Sequence, residues 1–190
     1  ARGVATVAVS GGRTPAAFLR ALFGQDLPWW RVQVTLVDDR CVPHDHDRSN
    51  VRLIEAARNG LPGAAAPLIA LTAPASGSPL LQAPVPPTLD ALVLGMGTDG
   101  HTASLFPCSA ELSEGLTTPH SALMTQPTTA PHRRMSLSKT RLLNTHMGVI
   151  HIVGDSKLDV YETATVRPDD DAHPVSHFAH ASHFSLWFAP

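Results

Sequence analysis

The chain has 190 residues, 43% of them hydrophobic, and a formal net charge of −2. That length suffices for one domain with a real core, and the apolar share excludes disorder as the default state. The 14 Lys and Arg residues are scattered, which argues against a nucleic-acid footprint but leaves room for a small anion held by a few cations.

Val4–Ser10, "VATVAVS", is a β-rich run ending at Gly11-Gly12. "PAAFLRALFG" follows, with Phe18, Leu19 and Leu22 on one helical face, Thr14 as expected N-cap and Pro15 as first helical residue. Val32–Val37 predicts a second strand, ending at Asp38-Asp39-Arg40. Ser49 is the expected cap of "NVRLIEAARNG", which stops at Gly60. The Pro-rich stretch Pro62–Pro87 reads as a long irregular connection.

Leu89–Leu94 predicts a third, buried strand, and "SALMTQ" from Ser121 a weaker fourth. "LLNTHMG" near Leu142 ends a short helix, and Val149–Val153 is a strand ending at Gly154. Ser156 is the expected cap of "KLDVYETAT", and His183–Phe188 forms the last strand. Strands alternate with helices and are mostly apolar on both faces, which predicts an α/β fold with a parallel sheet covered on both sides.

No apolar run is long enough to span a bilayer, and no charged-then-apolar leader is visible. Cys41 and Cys108 lie far apart without metal-ligand spacing, so both are expected as free thiols in a reducing compartment. The expectation is a single cytoplasmic domain over residues 1–190, a monomer or weak homodimer with neither membrane nor nucleic-acid partner.

Ligands of such sheets bind at the carboxyl ends of the strands. Four strand ends carry chemistry here: Ser10-Gly11-Gly12, Asp38-Asp39-Arg40, Gly95 to His101, and Gly154 to Lys157. "SGGRTP" places two glycines and two hydroxyls before a helix N-terminus, which suits an anion and equally suits a plain tight turn. Arg40 can grip a phosphate in two-point fashion, or simply pair with Asp38 or Asp39. Arg134, Ser136 and Ser138 alternate onto one side of "HRRMSLSK". Lys157 sits in a helical first turn, against the macrodipole, which makes sense if an anion binds there.

"GMGTDGH" contains the spacing Gly95-x-Gly97-x-x-Gly100 of a dinucleotide loop. That fingerprint also needs a long following helix and an acid roughly 20 positions on. Here Pro107 arrives early and "SALMTQP" brings no acid, so a nicotinamide cofactor is not expected. His101 is the better clue: an imidazole with an unperturbed pKa of about 6.5 can accept a proton near neutrality. Asp99 is placed to orient it. A surface histidine in a turn is the plain alternative in a chain with 11 histidines. His44, Asp45, His46 and Asp47 lack a matched ligand set, so a polar loop is expected rather than a metal site. His173, His177, His180 and His183 stand near helical spacing, with a solvated face as the default.

Five blocks in order, "SGGRTP", "VDDRCVPHDHDRSN", "LDALVLGMGTDGHTASLFP", "HRRMSLS" and "GDSK", resemble the 6-phosphogluconolactonase family. The related glucosamine-6-phosphate deaminases share the glycine-glycine-His loop but continue differently after the His. Thr102 to Pro107 sides with the lactonases. The resemblance implies a Rossmann-like three-layer αβα sandwich with a mainly parallel sheet, shared with those deaminases and ribose-5-phosphate isomerase. It implies hydrolysis of 6-phosphoglucono-δ-lactone to 6-phosphogluconate, a step of the pentose phosphate pathway, without metal or cofactor. The family's catalytic His falls on His101, and Asp99, read above as its orienting partner, is expected to act with it. Phosphate- and sugar-binding positions fall on Ser10, Gly11, Gly12, Arg13, Thr14, Asp39, Arg40, Asn50, Gly97, Gly100, Arg134 and Lys157. The family's usual "DER" reads Asp38-Asp39-Arg40 here, and its helix before the third strand is replaced by the Pro-rich stretch. A deaminase or isomerase on a sugar phosphate, and a non-catalytic sugar-phosphate-binding protein, are the alternative readings.

Overall fold

A computed structural model describes residues 3–12, 14–72, 80–81 and 85–190. In chain order come β1 (Ala5–Val9), α1 (Ala16–Phe23), β2 (Val32–Leu36), β3 (Asp38–Arg40) and α2 (Asn50–Arg58). Next are β4 (Leu68–Ile69), β5 (Leu71–Thr72), β6 (Leu80–Leu81), β7 (Ala91–Gly95), α3 (Leu112–Thr117) and β8 (Ala122–Thr125). The chain continues through β9 (Arg134–Leu137), α4 (Lys139–Leu143), β10 (Gly148–Val153), α5 (Asp155–Ala164), α6 (Ser176–Ala179) and β11 (Phe184–Ala189).

Six strands form one sheet in the order β11-β10-β7-β1-β2-β4, and every pair is parallel. At its centre Val7 of β1 stands opposite Val34 on one side and Ala91 on the other. Strand alternation sends successive side chains to opposite faces. Ala5, Val7 and Val9 turn toward Leu22 and Phe23 of α1. Thr6 and Ala8 turn the other way and are fully buried, whereas Ala5 and Val7 are only partly covered. Both faces are therefore covered, which is why the strands read as continuous apolar runs. The three-layer α/β architecture expected from the sequence is the one observed.

α1 buries Leu19 and Phe23, one helical turn apart, against this sheet. Ser49 caps α2 as expected, its hydroxyl accepting from the Arg52 amide at 3.4 Å. The other two expected caps are replaced. Pro15 occupies the cap position of α1 without a side-chain bond, and the Thr14 hydroxyl instead accepts from Lys157 Nζ at 3.1 Å. Gly154 precedes α5, so Ser156 lies inside that helix.

Two strand assignments also change. "SALMTQ" supplies β8, but β8 is not in the main sheet. It pairs antiparallel with β9, which pairs antiparallel with β3, in a separate sheet ordered β3-β9-β8. The connection between β8 and β9 carries no helix, and a parallel pair would need a long crossover. The Pro-rich stretch is not wholly irregular: β4 joins the edge of the main sheet beside β2. A two-residue strand is too short to leave a periodic signal. Among the described residues no helix is long and apolar enough to cross a membrane. Cys41 and Cys108 are both free.

The two cap assignments separate in a stability measurement. Ser49→Ala should lower the unfolding free energy by about 0.5–2 kcal/mol, the usual cost of losing an N-cap. Thr14→Ala, which removes no cap, should stay within about 0.5 kcal/mol of the parent in urea unfolding.

Candidate active site

Parallel strands all end on one edge, and the chemistry gathers there. A cleft of about 220 Å³ opens at the ends of β1, β3 and β7. The turn after β1 contributes Ser10, Gly11, Gly12 and Thr14 to its lining. Arg40 enters from β3 and Asn50 from the start of α2. Gly97 and His101 come from the loop after β7, Arg134 from β9 and Lys157 from α5. Arg13 falls outside the described residues.

The strand ends are tied to each other. Ser10 Oγ accepts from the Gly95 amide at 2.9 Å, joining the β1 and β7 ends. The Gly95 carbonyl accepts from Thr102 Oγ1 at 2.8 Å, which folds the loop back on its strand. Inside that loop the Gly97 amide donates to the His101 carbonyl at 2.9 Å, and the Gly100 amide to the Gly97 carbonyl at 3.1 Å.

His101 is held on two sides. Its Nδ1 lies 2.5 Å from Asp99 Oδ1, and its ring stacks on Phe106 with centroids 3.8 Å apart. Burial pushes the Asp99 carboxyl up, but the hydrogen bonds and charge of His101 outweigh it, so the net direction is down. An ionised Asp99 beside Nδ1 favours the tautomer with hydrogen on Nδ1, leaving Nε2 as the basic nitrogen. Gly97 has to be glycine for this geometry. A Cβ there would sit 2.2 Å from His101 Nδ1 and 2.6 Å from Asp99 Oδ1. Asp99 itself stands behind the lining, as does Gly100.

The opposite wall is cationic. β3 and β9 place Arg40 directly opposite Arg134 in register. Like charges so paired repel, and the Arg134 guanidinium is pushed down by burial and by Arg40, with Asp38 and Asp39 opposing. Arg134 also lies over the Phe106 ring, 5.0 Å from its centroid. Arg40 Nη1 donates to the Arg48 carbonyl at 2.7 Å and to Asn50 Oδ1 at 3.1 Å. The Nε atoms of Arg40 and Arg134 are buried without a partner. Burial also pushes the Lys157 ammonium down. Partly desolvated cations of this kind can hold an anion through charge-assisted hydrogen bonds.

Asp39, like Gly100, is an expected binding residue that stands outside the lining. Its carboxylate accepts from the Asn50 amide at 2.7 Å, the Val51 amide at 3.4 Å and the Ser49 hydroxyl at 3.3 Å. It therefore closes the N-terminus of α2 from behind, and burial raises its pKa despite the backbone hydrogen bonds. Asp38 lines the cleft instead. Its Oδ2 accepts from Ser104 Oγ at 2.5 Å, and its Oδ1 from Asn50 Nδ2 at 3.3 Å. The missed signal was strand alternation: in β3 residues 38 and 40 share a face and residue 39 faces away. Phe106, the stacking platform, was also missed, because nothing local marks an aromatic ring as a support.

The histidine clusters go to other uses. His46 Nδ1 accepts from the Arg48 amide at 3.0 Å within an exposed loop. His177 is not on a solvated face: its side chain is 5% exposed and lies between Asp169 and Asp171. No group of His, Cys, Asp and Glu among the described residues is arranged to hold a metal.

Known proteins resemble this chain over nearly its whole length. Residues 1–187 match the family described as Glucosamine-6-phosphate isomerases/6-phosphogluconolactonase. The chain is 40% identical to a 6-phosphogluconolactonase of Rhizobium meliloti, covering 100% of this chain and 87% of that protein. It is 37% identical to one of Pseudomonas aeruginosa, covering 98% and 82%. The crystal structure of a 6-phosphogluconolactonase from Shewanella baltica superposes with a TM-score of 0.89 at 38% identity, covering 99% of this chain and 85% of that one. Sequence and fold together make the chain a member of the glucosamine-6-phosphate isomerase/6-phosphogluconolactonase family.

Proposed function

We propose that the protein hydrolyses 6-phospho-D-glucono-1,5-lactone to 6-phospho-D-gluconate, in the cytoplasm, as a monomer or weak homodimer. The observation that carries the reading is the charge pattern of the cleft. Arg40, Arg134 and Lys157 line it against the single carboxylate of Asp38, with His101 on the facing loop. A phosphate meets the cations while an uncharged lactone carbonyl meets the imidazole.

His101 Nε2 takes a proton from water as the water oxygen bonds to the lactone carbonyl carbon. Asp99 steadies the resulting imidazolium through Nδ1. The tetrahedral oxyanion is met by a cleft cation or a loop N–H. Collapse breaks the bond to the ring oxygen, which takes the proton back from His101, and the new carboxylic acid then ionises to solvent. Atoms and charge balance without a metal or cofactor. Arg40, Lys157 and the turn from Ser10 to Thr14 clamp the phosphate and take no part in bond making.

Fresh 6-phosphogluconolactone with the purified chain should disappear well above its spontaneous rate. Binding of 6-phosphogluconate without such acceleration would mark a sugar-phosphate-binding protein instead. His101→Ala should lower kcat by about 10²–10⁴-fold, the usual worth of acid–base help, with a smaller change in KM. Gly97→Ala should lower kcat in the same direction, because its Cβ claims space 2.2 Å from His101 Nδ1. Arg40→Ala and Lys157→Ala should each raise KM by roughly 10–100-fold, the scale of a charged hydrogen bond. Equal turnover of unphosphorylated gluconolactone would remove the clamp.

A further inference from the structure

The loop that carries His101 is gripped from outside the cleft. Gly100 adopts φ +74, and its carbonyl accepts from the Val175 amide at 3.0 Å. His173 roofs the same residue: a Cβ added to Gly100 would lie 3.0 Å from Cα, Cβ and Cδ2 of His173. The 169–177 segment thus touches the turn between Asp99 and His101 with one backbone bond and one side chain.

That segment is itself firmly tied. His173 Nδ1 lies 3.0 Å from Asp170 Oδ2, and the His173 amide donates to the Asp170 carbonyl at 2.9 Å. The Asp170 amide donates to Ser176 Oγ at 2.8 Å, and Ser176 Oγ donates to the Asp170 carbonyl at 3.1 Å. His177 lies with Nδ1 2.7 Å from Asp169 and Nε2 2.9 Å from Asp171. Lys139 Nζ reaches Asp169 Oδ1 at 2.8 Å. Lys139 begins α4, directly after the strand that presents Arg134. Val175 and Phe178 anchor the segment in the core, both fully buried.

We propose that residues 169–177 form a clasp that sets the position of His101 from behind, with His173 as a positioning residue acting through Gly100. The inference rests on the lactonase reading for its kinetic consequence, but not for its structural one. Gly100 and His101 are adjacent, so a tilt of the turn moves the imidazole relative to Asp99. His101 has to keep a 2.5 Å contact to Asp99 and a 3.8 Å stack on Phe106 at once. Misplacement of about 1 Å at a reacting group can cost on the order of 100-fold in rate. The clasp also links the two walls of the cleft. One end bears on the His101 loop, and the other is fastened by Lys139 beside the Arg134 strand.

His173→Ala removes the imidazole part of the roof, Cδ2, and the link to Asp170, while Cα, Cβ and the Val175 amide stay in place. His173→Asn keeps a donor near the Nδ1 position and part of the volume. Side-chain ¹⁵N NMR of His101, assigned with His101→Asn, reads the imidazole directly without substrate. The clasp requires His101 signals to move in His173→Ala and to return toward those of the parent in His173→Asn. In the lactonase assay kcat of His173→Ala should fall about tenfold with KM within about twofold, and His173→Asn should recover most of it. Asp170→Asn, which weakens the link without removing the roof, should give an intermediate shift. His101 signals and kcat unchanged in a folded His173→Ala would overturn the proposal, as would a melting-temperature loss that His173→Asn does not repair. A parent chain without lactone hydrolysis would defeat the lactonase reading alone, because the NMR comparison still decides the clasp.

Discussion

The hydrogen bond from the Gly95 amide to Ser10 Oγ, 2.9 Å long, joins the two strand ends on which the cleft is built. It exists only because β1 and β7 are parallel neighbours, with Val9 opposite Val93. Parallel pairing makes both chains leave the sheet on the same edge. A turn of small residues after β1 and a glycine loop after β7 then face each other across a few ångströms. Everything chemical in the cleft is arranged around this junction. The β1 turn leads into α1 and to Thr14, which meets Lys157 from α5. The β7 loop returns through Thr102 and holds His101 against Phe106.

A second, smaller sheet supplies what the main sheet cannot. β3 and β9 run antiparallel, so Arg40 and Arg134 stand opposite one another with Asp38 beside them. In a purely structural sheet such a pair would be a defect. Here both guanidinium groups also hold a buried Nε without a partner. Leaving a buried donor unsatisfied costs on the order of 1–3 kcal/mol, a real fraction of the roughly 5–15 kcal/mol that stabilises a typical domain. Two such donors beside one cleft are groups that a negatively charged oxygen could satisfy. The buried carboxylate of Asp38 moderates the field, and Asn50 bridges it to Arg40.

Much of the fold was legible because its signals are local. Glycines at strand ends, a Ser before a helix and continuous apolar runs each have a direct backbone cause. Ser49 fits that rule, since its hydroxyl meets the amide three residues on. Thr14 and Ser156 are equally good cap letters, and neither caps. Thr14 is taken by a lysine 143 residues away, a partner no local pattern contains. The same limit explains Asp39 and Asp38. As letters they are interchangeable; alternation puts them on opposite faces of β3, and only the packing of β3 decides that one lies behind the N-terminus of α2 while the other lines the cleft.

Residue order was therefore sufficient for the α/β class, the parallel sheet and the loop that presents His101. These follow from periodicity and from backbone conformations that few residues allow. The tertiary structure alone decided which strands left the main sheet, which aromatic ring supports the imidazole, and which aspartate lines the cleft. It also revealed His177 as a buried link between carboxylates where spacing suggested an exposed helical face. Each of these depends on contacts between segments far apart in the chain. Their energies are settled by burial and geometry, which exist only once the segments have packed.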